Sequence, residues 1–378
     1  MRSSHQAVER NTFTRSWSSL TSTRWIRPVC VTAMLAALGV TSFRLRELIG
    51  SSVTQISSLT HHAIALVALC WVTMVFSRGL VYRFTHSQLH FRHGVVLDQV
   101  NLAAANGLPG GSVVGIAARM KICRRLGHSS EHAALTVFAS GQAFAIGRWA
   151  CLVVVLCASM VLRGAYAIDV IEIGGALVAL SLSCLIWSVL SKDSRSSRAV
   201  LHVLENLITR TSRSSGAFRR AKFRASVHRF RSGANDLVRE RSPQLVLAGA
   251  LSTLFGALIL VVVIADLSPV AVSSLDVLRA YLLARVATSF IPTPGGVGVL
   301  DGAITAGLIA AGVDPTIALS AVLVYRAITF ALPIAIGSVL YLIWYKSERH
   351  HNECEPEDDG STTPDSDQGS AAALPTAA

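Results

Sequence analysis

The sequence predicts an all-α, polytopic transmembrane helical bundle with two related halves. Hydrophobic residues make up 52% of the 378 residues and charged residues 15%, whereas soluble domains carry about 25% charged residues. Residues 243–265 contain no ionisable side chain, and a membrane-spanning helix needs about 20 apolar residues. A Pro-Gly-Gly sequence also occurs twice inside apolar sequence, at residues 109–111 and 294–296. These observations favour a membrane protein over a large soluble helical core.

The two Pro-Gly-Gly sequences belong to a longer repeat. The interval from Pro109 to Gly127 equals the interval from Pro294 to Gly312. Proline removes a backbone donor and glycine loosens a helix, so each sequence interrupts its apolar segment. In a membrane, interrupted backbone is tolerated only where protein buries it or where it lines a wet cavity. Matching interruptions in two halves therefore predict a binding site near the middle of the bilayer.

The first membrane half is predicted at residues 28–190, after a basic, disordered cytoplasmic leader at residues 1–27. The first apolar run ends without a small-residue cleavage site, so we expect a retained span and no signal peptide. Spans are expected at residues 28–43, 62–84, 129–162 and 170–190.

Between the second and third of these spans, residues 95–108 form an apolar segment that is too short to cross a bilayer. This segment meets the first Pro-Gly-Gly and continues into a basic helix. Basic residues on both sides predict a re-entrant helical hairpin that enters and leaves on the cytoplasmic side. Arg119, Arg124 and Arg125 are expected to hold this hairpin to the cytoplasmic surface.

A basic cytoplasmic linker is predicted at residues 191–242, with thirteen Lys or Arg against four Asp or Glu. Basic clusters beside apolar spans indicate the cytoplasmic side and an attraction to anionic lipid head groups. Nucleic-acid binding is the competing interpretation of Arg-rich sequence, and the flanking spans argue against it. A surface helix is expected near residues 199–208.

The second membrane half is predicted at residues 243–346. It starts with the uncharged span and continues with an apolar segment at residues 275–290, the second Pro-Gly-Gly and a helix at residues 299–311. Asp314 is the expected N-cap of the last helix, with Pro315 at its first position. Pro333 is expected to kink that helix, and residues 347–378 form an acidic, disordered tail.

The distribution of charge also predicts the orientation of the halves. If the leader, linker and C-terminus are cytoplasmic, the first hairpin enters from the inside. The second, flanked by loops poor in Lys and Arg around Asp266 and Asp314, enters from the outside. This arrangement is an inverted-topology repeat whose hairpins meet in the middle.

The segment from Ile291 to Asp301, together with Gly312 and the pair Tyr325-Arg326, resembles a known family. It is similar to the lysylphosphatidylglycerol synthase transmembrane region, also described as the flippase-like or UPF0104 family of integral membrane proteins. The resemblance covers residues 29–344 and is strongest at residues 285–333. It implies translocation of a lipid between leaflets. No aminoacyltransferase domain follows in this sequence, so the resemblance does not imply synthase activity. Asp301 stands where family members commonly carry Glu.

Asp301 and Arg326 are the leading candidates for the site. A charged side chain inside a span costs about 2.5–3.5 kcal/mol on insertion scales and is usually paired or functional. Asp301 is either a functional carboxylate or an acid that satisfies the first turn of its helix. Arg326 is expected to pair with Asp301, to bind a lipid phosphate, or to extend to the interface.

Further candidates for lipid contact are weaker. Arg285 and Arg148 are similar cases, although Arg148 precedes Trp149 and the pair is also typical of a membrane boundary. Tyr325 is expected to pack at the interface. The glycines of the two breaks serve either shape or the binding of an anionic head group by backbone N–H groups. These glycines are Gly110, Gly111, Gly295, Gly296 and Gly298.

The sequence contains none of the hydrolase, metalloprotease or nucleotide-binding motifs sought in it, and its cysteines form no metal-binding pair. We therefore expect a membrane protein, without enzymatic activity, cofactor or metal, that binds or moves an anionic or aminoacylated lipid. The alternatives are a non-transporting partner of a lipid- or envelope-modifying enzyme and an intramembrane transferase that uses Asp301 as a base. The lipid and the oligomeric state stay open.

Overall fold

The computed structural model describes residues 59–85, 89–108, 111–164, 167–191, 216–288, 296 and 298–353. In these ranges every regular element is helical. Five helices are long and apolar enough to cross a membrane, so the chain is a multi-pass membrane protein. The leader, the first expected span, the surface helix near residues 199–208 and the acidic tail lie outside the described residues.

The described helices follow one another in chain order. They are α1 (His61–Thr85), α2 (Phe91–Gly107), α3 (Gly111–Arg125), α4 (Ser130–Arg163), α5 (Ala167–Ser191), α6 (Gly216–Leu267), α7 (Ser274–Ala287), α8 (Val299–Ala310), α9 (Pro315–Arg326) and α10 (Leu332–Glu353), with a π-helical turn, Ala327–Ala331, before α10.

Helices α1, α4 and α6 pack around one core, and contacts between their ends give their directions. Thr60, just before α1, donates from its backbone N–H to Asp266 near the end of α6 at 3.0 Å, so α1 and α6 are antiparallel. Glu131 at the start of α4 accepts from Ser226 of α6 at 2.7 Å, so α4 and α6 run in the same direction.

Close approach of α4 and α6 depends on two glycines. A Cβ on Gly147 would lie 2.4 Å from the backbone nitrogen of Ala250, and one on Gly249 would lie 2.3 Å from the carbonyl oxygen of Ala143. Both distances are shorter than any real Cβ contact. Small residues thus let the two backbones meet, as is common between membrane helices.

Two pairs of short helices complete the bundle. In the α2–α3 pair, Gly111 approaches the carbonyl oxygen of Ala104 so closely that a Cβ would lie 1.9 Å from it. In the α7–α8 pair, a Cβ on Gly307 would lie 2.8 Å from that of Ala280. None of these four helices is among the five that can span a membrane, as expected for the segments beside the breaks.

The two helix pairs begin at opposite ends of the bundle. Gly94 in the first turn of α2 packs against Gly79 and Tyr82 near the end of α1. Ser273, the residue before α7, accepts a hydrogen bond from Arg163 at the end of α4 at 2.8 Å. Because α1 and α4 run in opposite directions, both of these ends belong to different sides of the bundle.

Helix α6 extends further toward the N-terminus than the uncharged span at residues 243–265. It begins at Gly216 and includes Pro243 without ending. Proline removes one helical hydrogen bond, but α6 packs on α4 on both sides of it. Ala234 and Leu237 before Pro243, and Leu245 and Ala248 after it, share one buried cluster. This packing keeps the helix continuous.

The C-terminal helices follow the expected sequence signals. The Asp314 carboxylate accepts from the backbone N–H of Thr316 at 2.9 Å, and Pro315 is the first residue of α9. Instead of a simple kink at Pro333, the chain forms the π-helical turn just before it, a feature common where a helix must accommodate an irregularity. Residues from Leu342 onward form a separate compact unit.

Candidate functional site

Arg326 and Asp301 form an ion pair that connects the end of α9 to the first turn of α8. Arg326 is 6% exposed, so its charge is largely removed from solvent. Its Nη2 atom also donates to the carbonyl oxygen of Gly296 at 3.0 Å. The guanidinium thereby holds the backbone at the second break against α9.

Asp301 performs a second task at the same place. Its Oδ2 atom accepts from the backbone N–H of Gly298 at 2.9 Å, so the carboxylate caps α8 while it pairs with Arg326. Gly296 and Gly298 have φ values of +68° and +83°, a conformation that favours glycine. The two interpretations of Asp301, helix cap and partner of Arg326, therefore hold simultaneously.

A second group of side chains surrounds Tyr281 of α7. Tyr325 donates to the Tyr281 hydroxyl at 3.1 Å, and Arg285 Nε donates to the same hydroxyl at 3.2 Å. Tyr281 and Tyr325 are 1% and 2% exposed. Tyr325 is thus a buried residue of the bundle and does not pack at a membrane interface, because its hydroxyl has a partner inside.

Arg148 joins this group from α4. Its Nη1 atom donates to the carbonyl oxygen of Arg285 at 3.5 Å. Arg148 lies near the middle of the 34-residue helix α4, so the Arg148-Trp149 pair does not mark the end of a span. The sequence signal was ambiguous because a single Arg-Trp pair carries no information on depth.

The third group, Asp98 with Arg78, was not selected as a site from the sequence. Asp98 is fully buried, and it accepts from Arg78 Nε at 2.8 Å and from Arg78 Nη2 at 2.9 Å. The Arg78 guanidinium also lies 4.5 Å from the ring centroid of Phe144. Asp98 inside an apolar segment was the available signal, but its partner is on another helix and is invisible to spacing.

Arg119 also departs from the sequence-based expectation. It is 8% exposed, and its Nη1 atom donates to the Tyr82 hydroxyl at 2.9 Å. The prediction that Arg119 holds the first hairpin to the surface was wrong, because α3 turns this side chain toward α1. Arg124 and Arg125, by contrast, are exposed.

Three of these arginines act on one another electrostatically. The charges of Arg148 and Arg285 repel each other, and both repel Arg78. Each is partly or largely buried, and they come from α1, α4 and α7. We call Arg78, Arg148 and Arg285 the central arginine cluster. Asp98 is bound to one of its three cations.

The glycines of the two breaks divide in their roles. Gly111 is packed against α2, which serves shape, and Gly296 offers its carbonyl to Arg326. Gly110 and Gly295 lie outside the described residues. Within the described ranges, no group of three or more His, Cys, Asp or Glu side chains is arranged to hold a metal ion.

Comparison with known proteins gives the family. The model of the lysylphosphatidylglycerol synthase TM region matches residues 12–337. The chain therefore belongs to this family, as the sequence around the second break predicted. No curated protein matches the chain.

Proposed function

We propose that this member of the lysylphosphatidylglycerol synthase TM region family binds a phospholipid, or a related anionic or aminoacylated lipid, and moves it between the leaflets. The observation that carries the proposal is the central arginine cluster. Burying a single arginine in a membrane is expensive, and three that repel one another are more so. A phosphate group would offset this cost, since guanidinium groups bind phosphate oxygens through paired hydrogen bonds. The proposal involves no chemical step on the lipid.

The arrangement of the short helix pairs supports this function. One pair begins at the end of α1 and the other at the end of α4, on opposite sides of the bundle. Both pairs are followed by a glycine with positive φ, Gly127 at +83° and Gly312 at +87°. We interpret them as the two members of an inverted repeat, which gives a lipid head group a route from either leaflet. The Arg-rich end of α6 is then cytoplasmic.

The ion pair of Arg326 with Asp301 would respond to the passing head group. A phosphate that reaches Arg326 competes with Asp301 for the same guanidinium. Asp301 would then be displaced and free to accept a proton. This exchange couples movement of the lipid to opening of the second break, because Arg326 also holds the carbonyl of Gly296.

The test is exchange of head-group-labelled lipids between the leaflets of liposomes that contain the purified protein. Arg148→Gln and Arg285→Gln each remove one charge of the cluster, and each should slow exchange of the transported lipid by at least about tenfold, the value of one charge-assisted hydrogen bond. Arg124→Gln, an exposed residue of α3, is the matched control. Equal exchange by wild type and all three variants, for every lipid tested, would contradict the proposal.

A further inference from the structure

A cavity of about 370 Å³ lies between the C-terminal end of α1 and the middle of α6. Two arginines contribute to its wall, Arg83 from α1 and Arg241 from α6. The other lining residues are Phe84, Glu240 and Gln244. The cavity is thus mainly polar and carries one more positive than negative side chain.

The two arginines differ from most others in this structure. Arg78, Arg229 and Arg279 each pair with a carboxylate. Among the residues that the structure describes, neither Arg83 nor Arg241 makes a hydrogen bond or an ion pair. Two guanidinium groups therefore face one cavity with their donors available for an anion.

The level of the cavity along the helices identifies the anion. Arg83 lies in the last turn of α1, one of the five candidate spans. On α6, Arg241 directly precedes the uncharged residues 243–265. Both arginines thus mark the point where an apolar helix leaves the hydrocarbon, which is the depth of the lipid head groups.

We infer that this cavity binds the phosphate group of an anionic membrane lipid. Arg83 and Arg241 bind the phosphate oxygens, and the Gln244 amide donates a further hydrogen bond. Phe84 contacts the glycerol portion of the lipid. Since a water molecule takes up about 30 Å³, the cavity has room for a phosphate diester with its glycerol. The site is separate from the central arginine cluster and does not depend on the proposed function.

The inference is tested by native mass spectrometry of the full-length protein in micelles supplied with phosphatidylglycerol or with phosphatidylcholine. Wild type should retain one more phosphatidylglycerol molecule than the double variant Arg83→Gln/Arg241→Gln, and each single variant should bind it about tenfold more weakly. Arg239→Gln removes an equal charge from α6, on a residue outside the cavity lining, and should bind like wild type. Phosphatidylcholine should not distinguish the variants.

Two outcomes would overturn the inference. Equal retention of phosphatidylglycerol by wild type and the double variant, or an equal loss in Arg239→Gln, would reduce the effect to general surface charge. A thermal shift in inorganic phosphate relative to chloride at the same ionic strength, present in wild type and lost in the double variant, would assign the site to free phosphate and reject the lipid. Leaflet exchange is measured separately, so failure here leaves the proposed function untouched.

Discussion

The Asp98 carboxylate, fully buried in α2, is held by both edges of the Arg78 guanidinium of α1 at 2.8 and 2.9 Å. This pair fixes the first short helix against a full span. It also brings a positive charge next to Arg285 from the other helix pair. The geometry of the central cluster therefore depends on a contact that neither segment specifies by itself.

The Asp98–Arg78 pair should be essential for stability. Asp98→Asn leaves Arg78 buried without its carboxylate, and breaking a buried pair in this way costs about 3–5 kcal/mol. We expect a clear drop in the thermal unfolding temperature of the protein in detergent micelles. The double variant Asp98→Asn/Arg78→Gln should recover part of the loss, since no unpaired charge remains. A double variant less stable than the sum of both single changes would argue against the pair.

Variants of Asp301 should separate its two tasks. Asp301→Asn keeps an oxygen that can cap α8 but removes the charge opposite Arg326. We expect it to unfold within a few degrees of wild type and yet to lose leaflet exchange of labelled lipid in liposomes. Asp301→Glu keeps the charge that family members carry at this position and should retain exchange. If Asp301→Asn exchanges lipid normally, the carboxylate serves only as a cap.

Tyr281 should contribute more to stability than Tyr325. Tyr325→Phe loses one hydrogen bond between neutral hydroxyls, worth about 1 kcal/mol. Tyr281→Phe loses that bond together with the one from Arg285, and a hydrogen bond to a charged group contributes about 1.5–3 kcal/mol. Thermal unfolding of the two single variants gives the order. Equal destabilisation would mean that Arg285 gains nothing from the Tyr281 hydroxyl.

The crossing of α4 and α6 should not tolerate a methyl group. Gly147→Ala and Gly249→Ala place a Cβ within 2.4 Å of backbone atoms on the facing helix, and backbone cannot rotate away as a side chain can. We expect loss of the monodisperse peak in size-exclusion chromatography. Gly141→Ala, on the same helix α4 with nothing within 4 Å, is the control. It should be neutral or slightly stabilising, because alanine favours an exposed helix. Normal folding of Gly249→Ala would show that the helices can separate.

Local signals predicted much of the secondary structure. Asp314 caps α9 and Pro315 begins it because capping and the fixed φ of proline act within one turn. The neighbourhood of Asp301 and Arg326 was also accessible, since a charge in an apolar segment demands a partner. Arg119 was misassigned because its position in a basic run gave no sign of the Tyr82 hydroxyl on another helix.

The sequence by itself determined that this is a multi-pass helical membrane protein and which family it belongs to, because hydropathy and a contiguous motif are properties of neighbouring residues. Only the tertiary structure decided which charges meet. Arg78, Arg148 and Arg285 come from three helices, and their convergence depends on helix crossings that allow backbones to touch, as at Gly147 and Gly249. The continuity of α6 through Pro243 was decided the same way, since contacts with α4 on both sides outweigh one missing hydrogen bond.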